Sequence, residues 1–153
     1  AEALKAAMAI TADYLITDTE HRNPSDFTPE LSRRARGVDV WAALRSLGRR
    51  GVEELIEQCC AHAGRFAEGL RAAGYEILND VVLTQVLVSF GDDDTTLRVI
   101  EAIQHDGTCW CGGTVWQGRR AMRISVCNWS TTVADVDISL EAMLACAERG
   151  KQA

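Results

Sequence analysis

An arginine lies in the middle of an apolar segment near the end of the chain, where its charge could serve in binding. Within residues 122–126, Met122 and Ile124 alternate with Arg123 and Ser125, which is the pattern of a strand with one buried face. Covering a mid-strand guanidinium costs free energy unless it meets an anion, and its planar shape suits a carboxylate bidentately. The residues alone leave two interpretations open, a solvated face or an anion receptor that faces another domain.

Six cysteines are the second group of side chains that could do chemistry. Cys109 and Cys111 are two residues apart in a strand-like stretch, so they should point to one face. With Cys127 and His62 they could be drawn as a zinc site, but no paired C-x-x-C spacing supports one. The other three lie on apolar helix faces: Cys59, Cys60 and Cys146. We therefore predict reduced cysteines in the core and sheet, and no metal site.

The composition indicates a folded domain and narrows the classes of partner. The chain has 153 residues, of which 47% are hydrophobic and 25% charged, with a net charge of −6. The acidic balance argues against a general nucleic-acid binder, and no apolar run reaches the length of a membrane helix. No signal-peptide pattern is visible, so we expect a cytoplasmic protein. The chain opens without methionine in a helix-compatible run, which predicts a piece of a longer polypeptide.

The strongest periodic signal predicts a long amphipathic helix. Apolar residues from Leu55 to Leu70 recur at offsets of three and four over about five turns, which indicates one buried stripe. Residues 38–47 carry a similar apolar face upstream, and Gly48 and Gly51 predict a bend between the two segments. Gly74 predicts the end of the helix, because glycine readily adopts the left-handed conformation found there.

The remaining sequence predicts strand, helix, strand, strand and helix. The expected elements are a strand at residues 85–90, a helix from Asp93 or Asp94 to Gly107, strands at 108–116 and 121–127 joined by a turn at 117–120, and a last helix. Thr132 and Asp135 form a capping-box pattern before that last helix. The order predicts an α+β domain with a small, mostly antiparallel three-stranded sheet and helices on one face, preceded by a long helical segment.

Four segments resemble the group II decarboxylases that depend on pyridoxal phosphate, a family that includes glutamate, cysteine-sulfinate and aromatic amino acid decarboxylases. These segments are, in chain order, Ala12–Leu15, Thr28–Trp41, Gln85–Phe90 and Met122–Asn128. The resemblance covers nearly the whole chain. It implies the C-terminal small domain of a fold type I enzyme at residues 34–153. Residues 1–33 would then be the end of a large-domain helix and a mobile active-site loop.

The resemblance also implies a cofactor and partners. The family holds pyridoxal phosphate on a lysine that follows a histidine, in a homodimer with its active site between subunits. The chain has only two lysines, Lys5 and Lys151, and neither follows a histidine. We therefore expect the Schiff-base lysine to belong to a missing N-terminal domain, and the isolated chain to be inactive towards its amino-acid substrate.

Three site residues follow from the resemblance. Arg123 matches the arginine that often receives a substrate carboxylate in fold type I enzymes. Ser32 matches a position near the cofactor phosphate across the dimer. The stretch Ile16–Glu30 matches the active-site loop, where many relatives present a tyrosine that donates a proton. This stretch has no tyrosine, and His21 is the candidate proton donor. The alternative interpretation of His21 is an ordinary exposed histidine in a loop.

The missing tyrosine leaves alternatives to decarboxylation. Relatives without that tyrosine can carry out oxidative deamination, so an aldehyde synthase or a lyase of the same fold type is one alternative. A free-standing α+β interaction module without catalysis is the other, because a layer architecture alone does not fix function. Trp110, Trp116 and Trp129 are expected to pack against the missing large domain.

Overall fold

The structure is a computed structural model that describes residues 2–9, 24–27 and 34–151. The elements are helix α1 (Glu2–Met8), a short 3-10 helix (Pro24–Phe27), helix α2 (Arg36–Ala72), strands β1 (Glu76–Ile77) and β2 (Gln85–Ser89), helix α3 (Asp93–Asp106), strands β3 (Gly112–Trp116) and β4 (Arg119–Ser125), and helix α4 (Val133–Lys151). The chain divides into two compact units, Ala1–Ser46 and Leu47–Ala153.

In the first unit, most of the apolar side chains that the structure describes are exposed. Lys5 of α1 forms an ion pair with Asp26, with 3.4 Å between Nζ and Oδ2, and Arg34 pairs with Asp39 at the start of α2. The predicted apolar face of this part of α2 is exposed among the described residues: Val38, Trp41 and Leu44. Its apolar surface is therefore not covered by the residues that the structure describes.

The second unit begins beside a break in α2 that the sequence predicts. Gly48 has φ 63° and ψ −174°, which a residue with a side chain adopts only with strain, whereas Gly51 stays helical. Beyond the break, the predicted stripe is buried at Cys59, Ala63, Phe66, Ala67 and Leu70, whereas Ile56 is 50% exposed. His62, which the apolar pattern did not include, is buried beside them. The helix ends at Ala72, and Gly74 has φ 86° as expected for a residue that follows a helix.

The sheet has four strands in the order β1-β2-β4-β3, and every neighbouring pair is antiparallel. The α+β prediction is confirmed, but the predicted count of three strands is one short. The additional strand, β1, has two residues and pairs Ile77 with Val88. Two residues are too few to show an alternating pattern, so the sequence could not reveal this strand.

The boundaries of two predicted elements also change. The turn between β3 and β4 is the two-residue loop Gln117–Gly118, with φ of 49° and 79°, as hairpins with tight turns require; the following arginines already belong to β4. Asp92, rather than Asp93 or Asp94, caps α3 by accepting a hydrogen bond from the Thr95 N–H at 2.7 Å.

The core of the second unit lies between the sheet and its helices. Its largest fully buried side chains come from α2, α3, α4 and both central strands: Leu70, Ile103, Met143, Val136, Val86, Val88 and Met122. Tyr75 packs edge-on against Phe90, with ring centroids 4.9 Å apart. This packing holds β4 firmly, so the direction of each of its side chains is fixed. None of the described helices combines the length and hydrophobicity needed to cross a membrane.

Candidate functional site

Strand β4 has two different faces, as its alternation predicts. Met122 and Ile124 point towards the helices and are 0% and 4% exposed, whereas Arg123 and Ser125 are exposed on the other face. Arg123 pairs across the sheet with Leu87 on one side and Gly112 on the other. The predicted orientation of Arg123, away from the helices, is confirmed.

The guanidinium of Arg123 has no partner within the part of the chain that the structure describes. No hydrogen bond or ion pair there involves its side chain, and a Cβ added to the neighbouring Gly112 would meet nothing within 4 Å. Arg119, on the same strand, is different because it donates to both carboxylate oxygens of Glu76, at 2.7 and 3.1 Å. Arg123 therefore has an unused charge and open space beside it, which is what binding a carboxylate requires.

A cavity of about 220 Å³ lies beyond the end of β4. Its wall includes Phe66 of α2, Ser139 of α4 and the segment that precedes β3, with Cys109, Trp110 and Cys111. Ser125 and Cys127 also line it, whereas Arg123 is not among its lining residues. The sequence did not indicate this cavity, because its walls come from segments that are distant along the chain.

The loop after β4 is fixed by side chains of α2. Nε2 of His62 lies 2.9 Å from the carbonyl oxygen of Thr131, and Gln58 donates to the same oxygen at 3.0 Å. A carbonyl oxygen only accepts hydrogen bonds, so Nε2 of His62 carries the hydrogen. His62 is 5% exposed. Its contacts explain it as a structural residue rather than as a ligand to a metal.

The predicted capping box at the start of α4 is confirmed. The Asp135 carboxylate accepts hydrogen bonds from the Thr132 N–H at 2.8 Å and the Thr132 hydroxyl at 2.7 Å. These bonds lower the pKa of Asp135, because they stabilise its charged form. The carboxylate therefore holds the beginning of α4, which forms part of the cavity wall.

All six cysteines are free thiols, as the sequence predicts. Two of them influence each other strongly. The neighbouring Cys111 thiol is the main reason why the pKa of Cys109 is lowered, with a smaller contribution from Ser139. The same interaction, together with burial, raises the pKa of Cys111. Among the described residues, no group of three or more histidine, cysteine or acidic side chains could hold a metal ion.

For the other predicted site residues, the structure gives little or no information. His21, Ser32 and most of the stretch Ile16–Glu30 lie outside the described residues, so their roles remain predictions. Trp110 and Trp129 are 76% and 77% exposed, and Trp116 is 41% exposed. The described residues leave most of Trp110 and Trp129 and part of Trp116 exposed, and the expected packing of these residues against another domain stays a prediction.

Comparison with known proteins finds relatives in both sequence and fold. The chain is 29% identical over 109 residues to a histidine decarboxylase and 26% identical over 113 residues to a 3,4-dihydroxyphenylacetaldehyde synthase, both of Drosophila melanogaster. These matches cover 69% and 71% of this chain but only 13% and 22% of the two relatives. The crystal structure of Oryza sativa TDC with PLP and tryptamine superposes with a TM-score of 0.76 at 19% identity, covering 95% of this chain and 33% of that one.

The family comparison covers the first three of the four segments that the sequence singles out, and ends before Met122–Asn128. The model for the conserved domain of pyridoxal-dependent decarboxylases matches residues 1–91, more than half of the chain. The match includes both the stretch before α2 and strand β2. The chain belongs to the pyridoxal-dependent decarboxylase family.

Proposed function

We propose that this chain is the C-terminal part of a pyridoxal-phosphate-dependent amino-acid decarboxylase, in which Arg123 binds the carboxylate of the substrate. The observation that carries the proposal is the exposed guanidinium of Arg123, unpaired within the described residues and beside the open space at Gly112. Membership of the family supports a carboxy-lyase activity for the full-length protein.

Pyridoxal phosphate is the cofactor of the family, but the lysines of this chain do not fit covalent attachment. Lys5 is about half exposed and paired with Asp26, whereas such an amine has to be desolvated and free to react. Lys151 is the last residue of α4 and, like Lys5, does not follow a histidine. The proposal therefore assigns the cofactor-bearing lysine to another domain, and no step of the chemistry is assigned to these two amines.

The role of Arg123 is to orient the substrate. A bidentate guanidinium–carboxylate contact fixes both the position and the rotation of a planar group. A decarboxylase has to cleave the bond to one carboxylate, so holding that group too tightly in the ground state would slow the reaction. An exposed arginine, still in contact with solvent, suits this requirement because its interaction is weaker than that of a buried pair.

The sequence supports further assignments within the same proposal. Residues 1–33 would contribute the end of a large-domain helix and the active-site loop, and residues 34–153 the small domain. His21 would donate a proton from that loop, and Ser32 would lie near the cofactor phosphate across a homodimer. The support for these roles is the match of Thr28–Trp41 and its neighbours to the family. We expect the dimer to be cytoplasmic.

The experiment is a comparison of three variants of the full-length protein. Replacing Arg123 by glutamine should lower kcat/KM by about 10- to 150-fold, the range that loss of a charge-assisted hydrogen bond of about 1.5–3 kcal/mol corresponds to. Arg123→Lys should recover part of that loss. Arg120→Gln, which removes an exposed charge from the same strand, is the matched control. Equal kinetics of Arg123→Gln and Arg120→Gln would contradict the role of Arg123.

An aldehyde synthase is the second candidate, because residues 16–30 contain no tyrosine and one of the relatives is a 3,4-dihydroxyphenylacetaldehyde synthase. Such an enzyme consumes oxygen and releases an aldehyde, ammonia and hydrogen peroxide in addition to carbon dioxide. Measuring oxygen uptake together with amine release across a panel of amino acids separates the two. Amine release without oxygen uptake supports the decarboxylase. Amine release by the isolated 153-residue chain with added cofactor would contradict the assignment of catalysis to a larger protein.

A further inference from the structure

The cavity beyond β4 contains a pair of thiols that the proposed function does not use. Cys109 and Cys111 both line this cavity, which is bordered by the indole of Trp110 and by Ser139 of α4. Cys111 is 5% exposed, and Cys109 is half-buried. A small molecule that enters the cavity would therefore reach Cys109 more easily than Cys111.

The local backbone geometry is compatible with a disulfide between Cys109 and Cys111. In a fully extended strand, residues two positions apart have Cα atoms about 6.6 Å apart, close to the upper limit for a disulfide. Here the chain bends at Thr108 and Cys109 before β3 begins at Gly112, so the segment is not fully extended. A bend shortens the separation between the two Cα atoms, and each of the two thiols shifts the pKa of the other.

The surroundings give the two thiols different reactivities. Hydrogen bonds from Cys111 and Ser139 favour the thiolate of Cys109, while burial and the charge of Asp106 oppose it; the net effect lowers the pKa of Cys109. Burial and the neighbouring sulfur keep Cys111 protonated. A pair of this kind combines a reactive thiolate with a protonated thiol held next to it.

We propose that Cys109 and Cys111 form a redox-active dithiol that low-molecular-weight disulfides oxidise, with Cys109 as the attacking residue and Cys111 as the resolving residue. The pair is then a site of reversible modification on the cavity wall.

The reaction needs two thiol–disulfide exchanges. The Cys109 thiolate first attacks one sulfur of the small disulfide; a mixed disulfide forms, and the other half leaves as a thiolate that takes a proton from solvent. Cys111 then gives its proton to solvent and attacks the Cys109 sulfur, which breaks the mixed disulfide and releases the second half as a thiol. The protein pair loses two hydrogen atoms, and one oxidant disulfide becomes two thiols.

Other cysteines offer internal comparisons. Cys127 lines the same cavity and is exposed, but it lies outside the Cys109–Cys111 segment. Cys146 is buried in α4, and desolvation raises its pKa. Exposure by itself would make Cys127 react first, whereas the dithiol hypothesis predicts that the pair of Cys109 and Cys111 does.

Peptide mapping of the native full-length protein tests this directly. Trypsin cuts after Arg98 and Arg119, so residues 99–119 form one peptide with Cys109 and Cys111 as its only cysteines. After treatment with oxidised glutathione and blocking of free thiols, that peptide should lack two hydrogen atoms and carry no blocking group. If both cysteines of the peptide are blocked, or if either is joined to Cys127 or Cys146, the proposal is wrong.

Single variants separate the two roles. Cys111→Ser should stop at the mixed glutathione disulfide on Cys109, because no resolving thiol is present. Cys109→Ser should react at least about tenfold more slowly in peptide 99–119, and Cys127→Ser, the matched control, should form the internal disulfide as the unmodified protein does. Loss of the disulfide in Cys127→Ser, or full reactivity in Cys109→Ser, would overturn the assignment. If a variant fails to fold, the peptide map of the unmodified protein still tests the proposal.

Discussion

The two faces of strand β4 differ in what their residues contribute. On the face towards the helices, Met122 and Ile124 are almost completely buried and belong to the core of the second unit. On the opposite face, Arg123 is exposed and has no partner among the described residues. Residues that adjoin each other in sequence therefore separate into buried core residues and an exposed arginine that is proposed to bind substrate, because successive side chains of a strand point in opposite directions. The comparison teaches that stability and substrate binding can be tested separately within one strand.

The largest effect on the free energy of unfolding is expected for a substitution on the face of β4 towards the helices. Met122→Ala removes a fully buried side chain between the sheet and its helices, so it should lower the free energy of unfolding by about 2–5 kcal/mol. Urea denaturation followed by circular dichroism measures this change. Val115→Ala, at a residue of β3 that is 58% exposed, is the control and should change stability by less than about 0.5 kcal/mol. A Met122→Ala protein as stable as this control would disprove the comparison.

A smaller effect on the free energy of unfolding is expected for Asp135, at the end of the loop that follows β4. The folded-state pKa of Asp135 lies below its value in the unfolded chain, so its contribution to stability is present above about pH 4 and is lost as the pH falls through the folded pKa. Asp135→Asn should therefore lower stability at neutral pH and make the loss of stability on acidification less steep. The measurement is the free energy of unfolding between neutral pH and pH 2.

A charge-matched control accompanies the pH series. Asp80→Asn removes an exposed carboxyl that lies far from α4 in the sequence, and it controls for the general change in net charge. A pH profile of Asp135→Asn that is parallel to that of the unmodified protein would show that the capping box does not contribute to acid sensitivity.

The smallest effect on stability is expected for Arg123 itself. Arg123→Met keeps a side chain of similar length and removes only the charge, and no described partner is lost. The free energy of unfolding should therefore change by less than about 0.5 kcal/mol, while substrate binding by the full-length protein should weaken. Substantial destabilisation of Arg123→Met would mean that the arginine has a structural role, and would remove the distinction between the two faces.

Periodic features of the fold could be predicted from the sequence. The buried stripe from Cys59 to Leu70, the orientation of Arg123 and the capping box at Thr132 depend on patterns within a single segment, so no tertiary information is needed. Strand β1 could not be predicted, because it exists only through its pairing with β2. The Asp92 cap was missed by one residue, since three consecutive aspartates offer equivalent oxygens to the first turn.

The candidate site could be predicted only in part, for a similar reason. Arg123 is visible from alternation, and its functional interpretation came from a family resemblance. The cavity that Cys109, Cys111 and Ser139 line together depends on how α4 lies against the segment before β3. Sequence spacing placed the two cysteines on one face but carried no information about what that face meets.

The glycine next to Arg123 has a consequence for specificity. A methyl group at Gly112 would meet no atom within 4 Å, so the fold should tolerate larger side chains there. Under the proposed function, such side chains would narrow the space above the guanidinium and leave its charge intact. This position would thus allow engineering of the size of accepted acids independently of how strongly their carboxylate is held.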